Sequence, residues 1–465
     1  MGPAILAGVM VLWGGRAVAQ PTQTFLQQQR QVEEGIRRQI DRELPVTQKL
    51  QLDCGGWFSH YTLLYDDGFE SSRTLRRNDL RLWGSLIADE GIHQAYVRMK
   101  LNYVDFNSGD SFDGHDDDWE GPDLDRGWYQ LDITKALNRY AGTKLPVSLK
   151  TRVGRDFVEF GTGYTLSLPL DAITITAEAY DVEVRGLLAR TPSSIDNIDS
   201  SVPGWDSSDR TFFGIEGRYK GIPRHEPFVY VLWNNDNTSE DPPDLFQEYD
   251  YDSFYVGLGS TGEIVDRLRY STEWVYECGE SFGDGRIFRR DDVEAWAFDV
   301  ELMYLPDHPT QPRFLLEYMF ASGDSDRLGS PTNAVGGNRG DRRDTSFVAF
   351  GYRDTGLSFA PLLSNIHVWR AGAAFLPFHK VKWLRKLELG TDWFLYHKHH
   401  RSAAVTDALA DRGSGFLGWE MDYYANWRIT SDLSWTIRYG AFFPGDSFSD
   451  RTCRPFLLTG LTWSF

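Results

Sequence analysis

The chain has 465 residues, a net charge of −19 at pH 7 with histidine neutral, and an aromatic content of 14% that includes 16 Trp, 22 Tyr and 29 Phe. A polyanion of this kind is no partner for nucleic acid, and a mean hydropathy of −0.42 without an apolar run of about 18 residues past the N-terminus excludes a helical membrane span. A membrane barrel stays open, because only alternate residues of its strands meet lipid and its interfacial girdles consume aromatic rings.

Residues 4–13 (AILAGVMVLW) form a short apolar core, and Ala17-Val18-Ala19 follows as an A-x-A signal. Residues 1–19 are therefore expected to be a signal peptide, and loss of Arg16 on cleavage takes the charge from −19 to −20. Residues 20–45 read as a periplasmic helical segment: Phe25, Leu26, Val32, Ile36 and Ile40 recur at roughly helical spacing until Pro45.

From residue 46 to 465 the chain reads as an all-β, transmembrane antiparallel barrel. In AYVRMKLNYVDF (95–106), Val97, Met99, Leu101 and Tyr103 face one way, and Arg98, Lys100 and Asn102 the other. LRRNDLRLW sets Leu80 and Leu82 against Arg77, Asp79 and Arg81. GWYQLDI sets Tyr129, Leu131 and Ile133 against Trp128, Gln130 and Asp132. Near the C-terminus, Trp419, Met421, Tyr423 and Trp427 oppose Glu420, Asp422 and Asn426, and Trp435, Ile437 and Tyr439 oppose Thr436 and Arg438. Ionised side chains recur on the second face, which a dry core would not tolerate and a water-filled lumen would.

Strands are expected at 50–65, 73–88, 91–106, 124–133, 147–156, 171–179, 181–189, 211–220 and 227–234. They continue at 252–259, 266–277, 292–304, 312–320, 366–376, 383–397, 416–428, 433–443 and 455–465. That is about 18, an even number, as a barrel with both ends on one side requires. Connections alternate between short turns, such as 429–432, and long loops, such as 321–365, with 157–169 and 345–352 read as loop segments that can dip into the lumen. A soluble propeller is disfavoured, since no repeat of about 40–50 residues is present.

Cys54, Cys278 and Cys453 are too few for a disulfide framework; a Cys278–Cys453 pair and free thiols are both compatible with the pattern. The acidic run 107–125 falls in an outer loop, where solvated negative charge is the first reading and weak Ca2+ binding the second. No other cofactor is expected. HKHHR (397–401) has poor metal-ligand geometry and reads as a loop tip at the lipid surface. Neither G-x-S-x-G nor H-E-x-x-H is present, so no enzyme is expected.

Several stretches resemble the alginate-export family of outer-membrane barrels: VGRDFVEFG (153–161), EYMFASGDSD (317–326), DTSFVAFGYRDTGLSFAPLLSNI (344–366), LGWEMDYYANWRITSDLSWTIRYGAFFPGD (417–446) and the terminal aromatic. The resemblance implies an 18-stranded barrel with an arginine-rich constriction that guides an anionic uronate polymer outward. Its motifs supply Arg81, Arg126, Arg155 and Arg438. The turn before the penultimate strand is shorter here than in alginate exporters, and Phe157 stands where a second arginine is expected after VGR.

The substrate-binding residues expected to line the pore are Arg81, Arg98, Lys100, Arg126, Arg152, Arg155 and Arg438, with Asp79, Glu420 and Asp422 among the carboxylates; Arg218 and Arg269 share the lumen phase. For Arg155, either a bulge beside Gly154 turns it inward or Arg152 holds that face instead. Guanidinium groups offer planar, permanently charged partners for carboxylates. The expected function is thus translocation of an anionic polysaccharide, an alginate-like polyuronate, through an anion-selective channel. A general diffusion porin for small anionic sugars or nutrients is the alternative. Partners implied are outer-membrane lipid, the barrel-assembly machinery that reads the terminal Phe465, and periplasmic polysaccharide-export proteins.

Overall fold

A computed structural model of the chain describes residues 50–66, 68, 72–111, 116–192, 209–238, 250–281, 290–327, 329–332, 338 and 340–465. The expected signal peptide and helical segment, 1–19 and 20–45, lie outside the described residues, as do 112–115 of the acidic run.

The period of two becomes a run of antiparallel strands: β1 (Leu50–Tyr65), β2 (Arg73–Ala88), β3 (His93–Phe106), β4 (Asp117–Asp132), β5 (Ser148–Glu159), β6 (Ser167–Ala179), β7 (Val182–Arg190), β8 (Arg210–Tyr219) and β9 (His225–Asp236). The run goes on through β10 (Asp252–Val265), β11 (Leu268–Glu280), β12 (Asp292–Tyr304) and β13 (Arg313–Ala321). A two-residue strand, β14 (Arg343–Asp344), sits in the next loop and runs parallel to the start of β12. The wall resumes with β15 (Ile366–Phe375), β16 (Leu387–Lys398), β17 (Phe416–Arg428), β18 (Leu433–Pro444) and β19 (Arg454–Ser464).

Each of the eighteen long strands pairs with its sequence neighbours, and β19 returns to pair with β1 from Tyr65↔Phe456 to Trp57↔Ser464. Closure removes the open edges that lipid cannot hydrogen-bond. At the seam, Gly56 and Phe465 exchange two backbone hydrogen bonds of 2.9 Å. A Cβ at Gly56 would lie 2.6 Å from the Arg81 carbonyl and 2.9 Å from the Phe465 ring, so the C-terminus docks on a residue that must have no side chain.

The termini of the barrel share one end with the short turns 180–181, 220–224, 266–267 and 429–432, while the loops 322–365 and 399–415 stand at the other. One turn carries a helix, Ile133–Ala141, capped by the Asp132 side chain accepting the Lys135 N–H at 2.9 Å and closed by Gly142 at φ +67°. β4 begins at Asp117, earlier than the expected 124, because Asp117–Asp123 pair with Lys100–Asp105 as the hairpin extends toward the loop end. The charge of this stretch and the bulge within it hid its alternation, although Glu120 faces inward against Asn102 and Trp119 outward against Tyr103.

Outward positions form aromatic belts. Trp233–Phe254, Trp296–Phe320 and Trp419–Phe443 rings lie 4.5, 4.3 and 4.3 Å apart toward the loop end. Trp463 and Phe465 are 55% and 56% exposed at the turn end. The three cysteines are free; Cys278 is on β11 and Cys453 beside β19, so the pairing left open by the sequence does not form.

Toward the loop end the interior is packed. Segment 160–166 and loop 345–363 fold inward, joined by a bridge between Leu166 and Phe350. Phe160, Leu166, Phe347 and Phe350 are buried among Phe212, Tyr230 and Tyr255. Phe359, from the same loop, stacks on Phe442 at 4.3 Å on the other side of the barrel. The loop thus crosses the interior, and its Leu357 shares a buried cluster with Leu63, Tyr65, Leu75, Val104 and Phe106 of the first three strands.

Candidate functional site: the lumen face of the first five strands

Alternation on β1–β5 turns Trp57, Arg81, Arg98, Lys100, Arg126, Trp128 and Arg152 inward. Arg81 Nη1 and Arg98 Nε both donate to Asp125 Oδ2, at 2.7 and 2.5 Å, and both guanidinium groups lie over the Trp57 ring, 5.9 and 5.5 Å from its centroid. Arg126 and Lys100 also act on Asp125 electrostatically, so one carboxylate is shared by four cations. Arg126 continues the row, 3.9 Å from Asp156 and 5.2 Å from the Phe157 centroid. Arg152 lies 4.1 Å over Trp128 and donates to Gln130 at 2.8 Å and to Asp156.

Toward the turn end, Trp83, Tyr96 and Trp128 share the lumen phase and form a ladder with centroid spacings of 6.3 and 5.8 Å. Cation–aromatic pairing of this kind holds a guanidinium group beside the ring; Trp57, Arg81 and Arg98 are buried, while Trp83, Tyr96, Arg126, Trp128 and Arg152 are half-buried. Toward the loop end, Arg77 meets Asp79 at 2.9 Å and Glu120 at 3.7 Å.

The opposite wall has the reverse balance. Glu273, Glu277, Asp299, Glu301, Glu317, Glu388, Asp392, Glu420 and Asp422 face inward from β11–β17, outnumbering Arg269, Arg313 and Arg370. Arg353, from the inward loop, donates to Asp299 at 2.9 Å and to the Thr162 carbonyl at 3.0 Å, and lies 3.8 Å from Glu273. Arg370 is held by Asp354, Asp392 and Glu317 at 2.8, 2.9 and 3.2 Å.

The residues expected to line the pore are therefore sorted by the fold. Arg81, Arg98, Lys100, Arg126 and Arg152 come together on one face. Arg155 falls on the other face of β5, where it binds Asp171 at 2.7 Å, and Arg152 holds the lumen position. Arg438 stands apart on β18, 5.8 Å from the Tyr424 centroid, its Nε buried with no hydrogen-bond partner among the described residues. Asp79 is 0% exposed beside Arg77. Glu420 and Asp422 are anchors of the loop: Glu420 accepts the backbone N–H groups of Leu357, Ser358 and Phe359 at 2.7, 2.6 and 2.8 Å, and Asp422 accepts that of Leu357 at 3.1 Å. Arg218 binds Glu216 at 2.8 Å.

His399 and His400 of the HKHHR run serve the loop end. The Gly323 N–H donates to His399 Nδ1 at 3.2 Å, and the His400 N–H donates to Asn365 Oδ1 at 2.7 Å. Among the described residues no group of three His, Cys, Asp or Glu could hold a metal ion. In the loop, partial burial and hydrogen bonding to Asp324 push Asp326 up to about 6.

Sequence reasoning missed Asp125, which sits at a bulge where the register shifts between Arg98 and Met99 and alternation no longer assigns a face. It also missed Arg353, because a loop residue has no phase. Trp57, Trp83 and Tyr96 were within reach, since each shares the phase of a neighbouring charged residue.

A closed barrel with aromatic belts outside and charged residues within defines an outer-membrane channel. The chain belongs to the alginate export family, whose description matches residues 195–455; the β1–β5 face precedes the matched stretch. Crystal structures of Pseudomonas aeruginosa OccK11 (OpdR) and OccK8 (OprE) share the fold, each with a TM-score of 0.53, at 13% and 12% identity. The superpositions cover 89% of this chain and 96% and 98% of those chains. No curated protein matches the chain by sequence. Family and fold are those of transport channels rather than enzymes.

Proposed function

We propose that this outer-membrane channel translocates an anionic polysaccharide, of the class of alginate-like polyuronates, along the face of β1–β5. The observation that carries the reading is the interleaving of Arg81, Arg98, Arg126 and Arg152 with Trp57, Trp83, Tyr96 and Trp128 on one inward surface. Sugar rings present C–H faces that pack on aromatic rings, and uronate carboxylates match guanidinium forks. A linear row of weak, exchangeable contacts lets a polymer advance without a deep trap. Asp125 and Asp156 moderate the row, since a carboxylate already held by arginine competes with the substrate and favours release. Periplasmic export proteins and the barrel-assembly machinery are partners consistent with this reading.

The anchored loop favours a second reading, a diffusion porin for small anionic sugars, because it narrows the interior. Planar-bilayer recordings separate the two. Oligouronates of increasing length should block the ion current with rising residence time, neutral oligosaccharides of equal length should block far less, and Trp128→Ala should shorten the blocks. Block that does not lengthen with the oligomer favours the small-solute porin; cation selectivity without block refutes both.

A further inference from the structure

The turn between β15 and β16, residues 376–386 (LPFHKVKWLRK), differs from the rest of the turn end. Lys380, Lys382, Arg385 and Lys386 are all exposed and have no ion pair among the described residues. Elsewhere at this end Arg139, Lys220, Arg224 and Arg267 have carboxylates at 3.3, 2.8, 2.6 and 2.9 Å, from Glu90, Glu183, Asp266 and Asp307, and cations without an ion pair among the described residues, such as Lys144, Lys150 and Arg428, stand singly. The nearest carboxylate on the following strand, Glu388, faces the lumen toward Arg313 at 3.8 Å. Four like charges within seven residues of a chain carrying −19 are thus left for something outside the chain.

The turn is built, not loose. Backbone N–H groups of Val381, Leu384 and Leu387 donate to the carbonyls of Phe378, Val381 and Leu384 at 2.9, 3.0 and 2.9 Å. Trp427 Nε1 donates to the Trp383 carbonyl at 3.1 Å, and the two indoles lie 5.8 Å apart. Trp427 belongs to the outward phase of β17, so this contact folds the turn against the lipid-facing side of the wall. Trp383 is 65% exposed, and Phe375 and Phe378 are 43% and 42% exposed beside it. Rings at the acyl boundary with unpaired cations next to them match the layering of a leaflet, apolar chains below and phosphates above.

We propose that residues 376–386 are a docking surface for anionic phospholipid headgroups in the periplasmic leaflet. The ammonium and guanidinium groups take the phosphates while Phe378 and Trp383 rest on the acyl boundary. The inference is independent of what the lumen carries.

The test uses the full chain reconstituted in phosphatidylcholine vesicles containing brominated phosphatidylglycerol, with tryptophan quenching giving the relative affinity for the anionic lipid over brominated phosphatidylcholine. Each cation near an anionic surface contributes about fivefold, so the variant K380Q/K382Q/R385Q/K386Q should lose at least about tenfold in that preference. The preference should also fall with salt. R224Q/R267Q, which removes paired cations at the same end, should leave it unchanged and serves as the control for folding. An undiminished preference in the quadruple variant overturns the proposal. So does a variant that keeps its lipid preference but loses binding of an oligouronate, which would assign the surface to the polymer.

Discussion

Glu420 is fully buried and is the acceptor on which loop 345–363 turns, so Glu420→Ala tests whether that loop sets the width of the pathway. The substitution removes the acceptor of the Leu357, Ser358 and Phe359 N–H groups; Asp422 can still serve Leu357, which leaves the buried Phe359 donor and the half-buried Ser358 donor unmatched. At about 1–3 kcal/mol for each donor, the docked state loses roughly 2–6 kcal/mol. That raises the detached population by about thirtyfold to 10⁴-fold. Phe359 remains caged by Phe442, Phe448 and Tyr396, and Arg353 remains on Asp299, so the loop stays mostly docked and the barrel folded. The expected signature in single-channel recordings is a flicker to larger conductance, rare in the wild type, more frequent in Glu420→Gln and most frequent in Glu420→Ala. If Glu420→Ala, shown to be folded by heat-modifiable electrophoretic mobility, has the conductance and noise of the wild type, the loop does not control the pathway.

The double substitution Arg126→Gln with Arg438→Gln should shift the reversal potential in a salt gradient toward cations, whereas Arg155→Gln, on the other face of β5, should leave it in place. Burial, with His400 and His367 beside it, pulls His399 from its usual value of 6.5 down to about 4. The unfolded chain takes up that proton first, so the contact from the Gly323 N–H should be intact above pH 6.5 and weaken as the pH falls through about 4; the protection factor of the Gly323 amide, corrected for the intrinsic pH dependence of exchange and unchanging over that range in His399→Phe, would check it. Deleting Phe465 removes two hydrogen bonds at the seam but little of the β1–β19 ladder, so assembly in cells should fall well below what refolding of the purified chain loses; equal losses would deny the terminal ring a part in assembly. Alkylation of the denatured, unreduced chain should label three thiols.

The wall was legible because lipid and lumen impose opposite demands on consecutive residues, and Leu80, Arg81 and Leu82 record both in three letters. Where one demand lapses, the record fades. Asp117–Asp123 pair with β3 although the bulge and the charge of the run blur the alternation, and only Glu120, buried against Asn102 and Arg77, keeps a lumen role there. The lumen faces of Glu420 and Asp422 were equally legible, yet an inward face proved not to mean a water-filled one, because a loop 55 or more residues earlier in sequence folds over them. For the arginines, the sequence assigned faces but could not assign partners: Arg81 and Arg98 meet over Trp57 only because three strands bring them there.

The unequal division of charge around the wall gives the interior a handed azimuth. A polymer of the proposed kind, with carboxylates projecting from one edge, would be drawn to β2–β5, since most carboxylates of the acidic arc of β11–β17 are buried beneath the inward loop or paired with Arg353 and Arg370, and it would travel along the wall and not down the axis. Any twist in such a polymer would carry some of its carboxylates around and away from the basic row. On the proposed reading such a chain would advance by rotating as it slides or by untwisting locally, so its torsional stiffness, as much as its width or charge, would set the rate of passage.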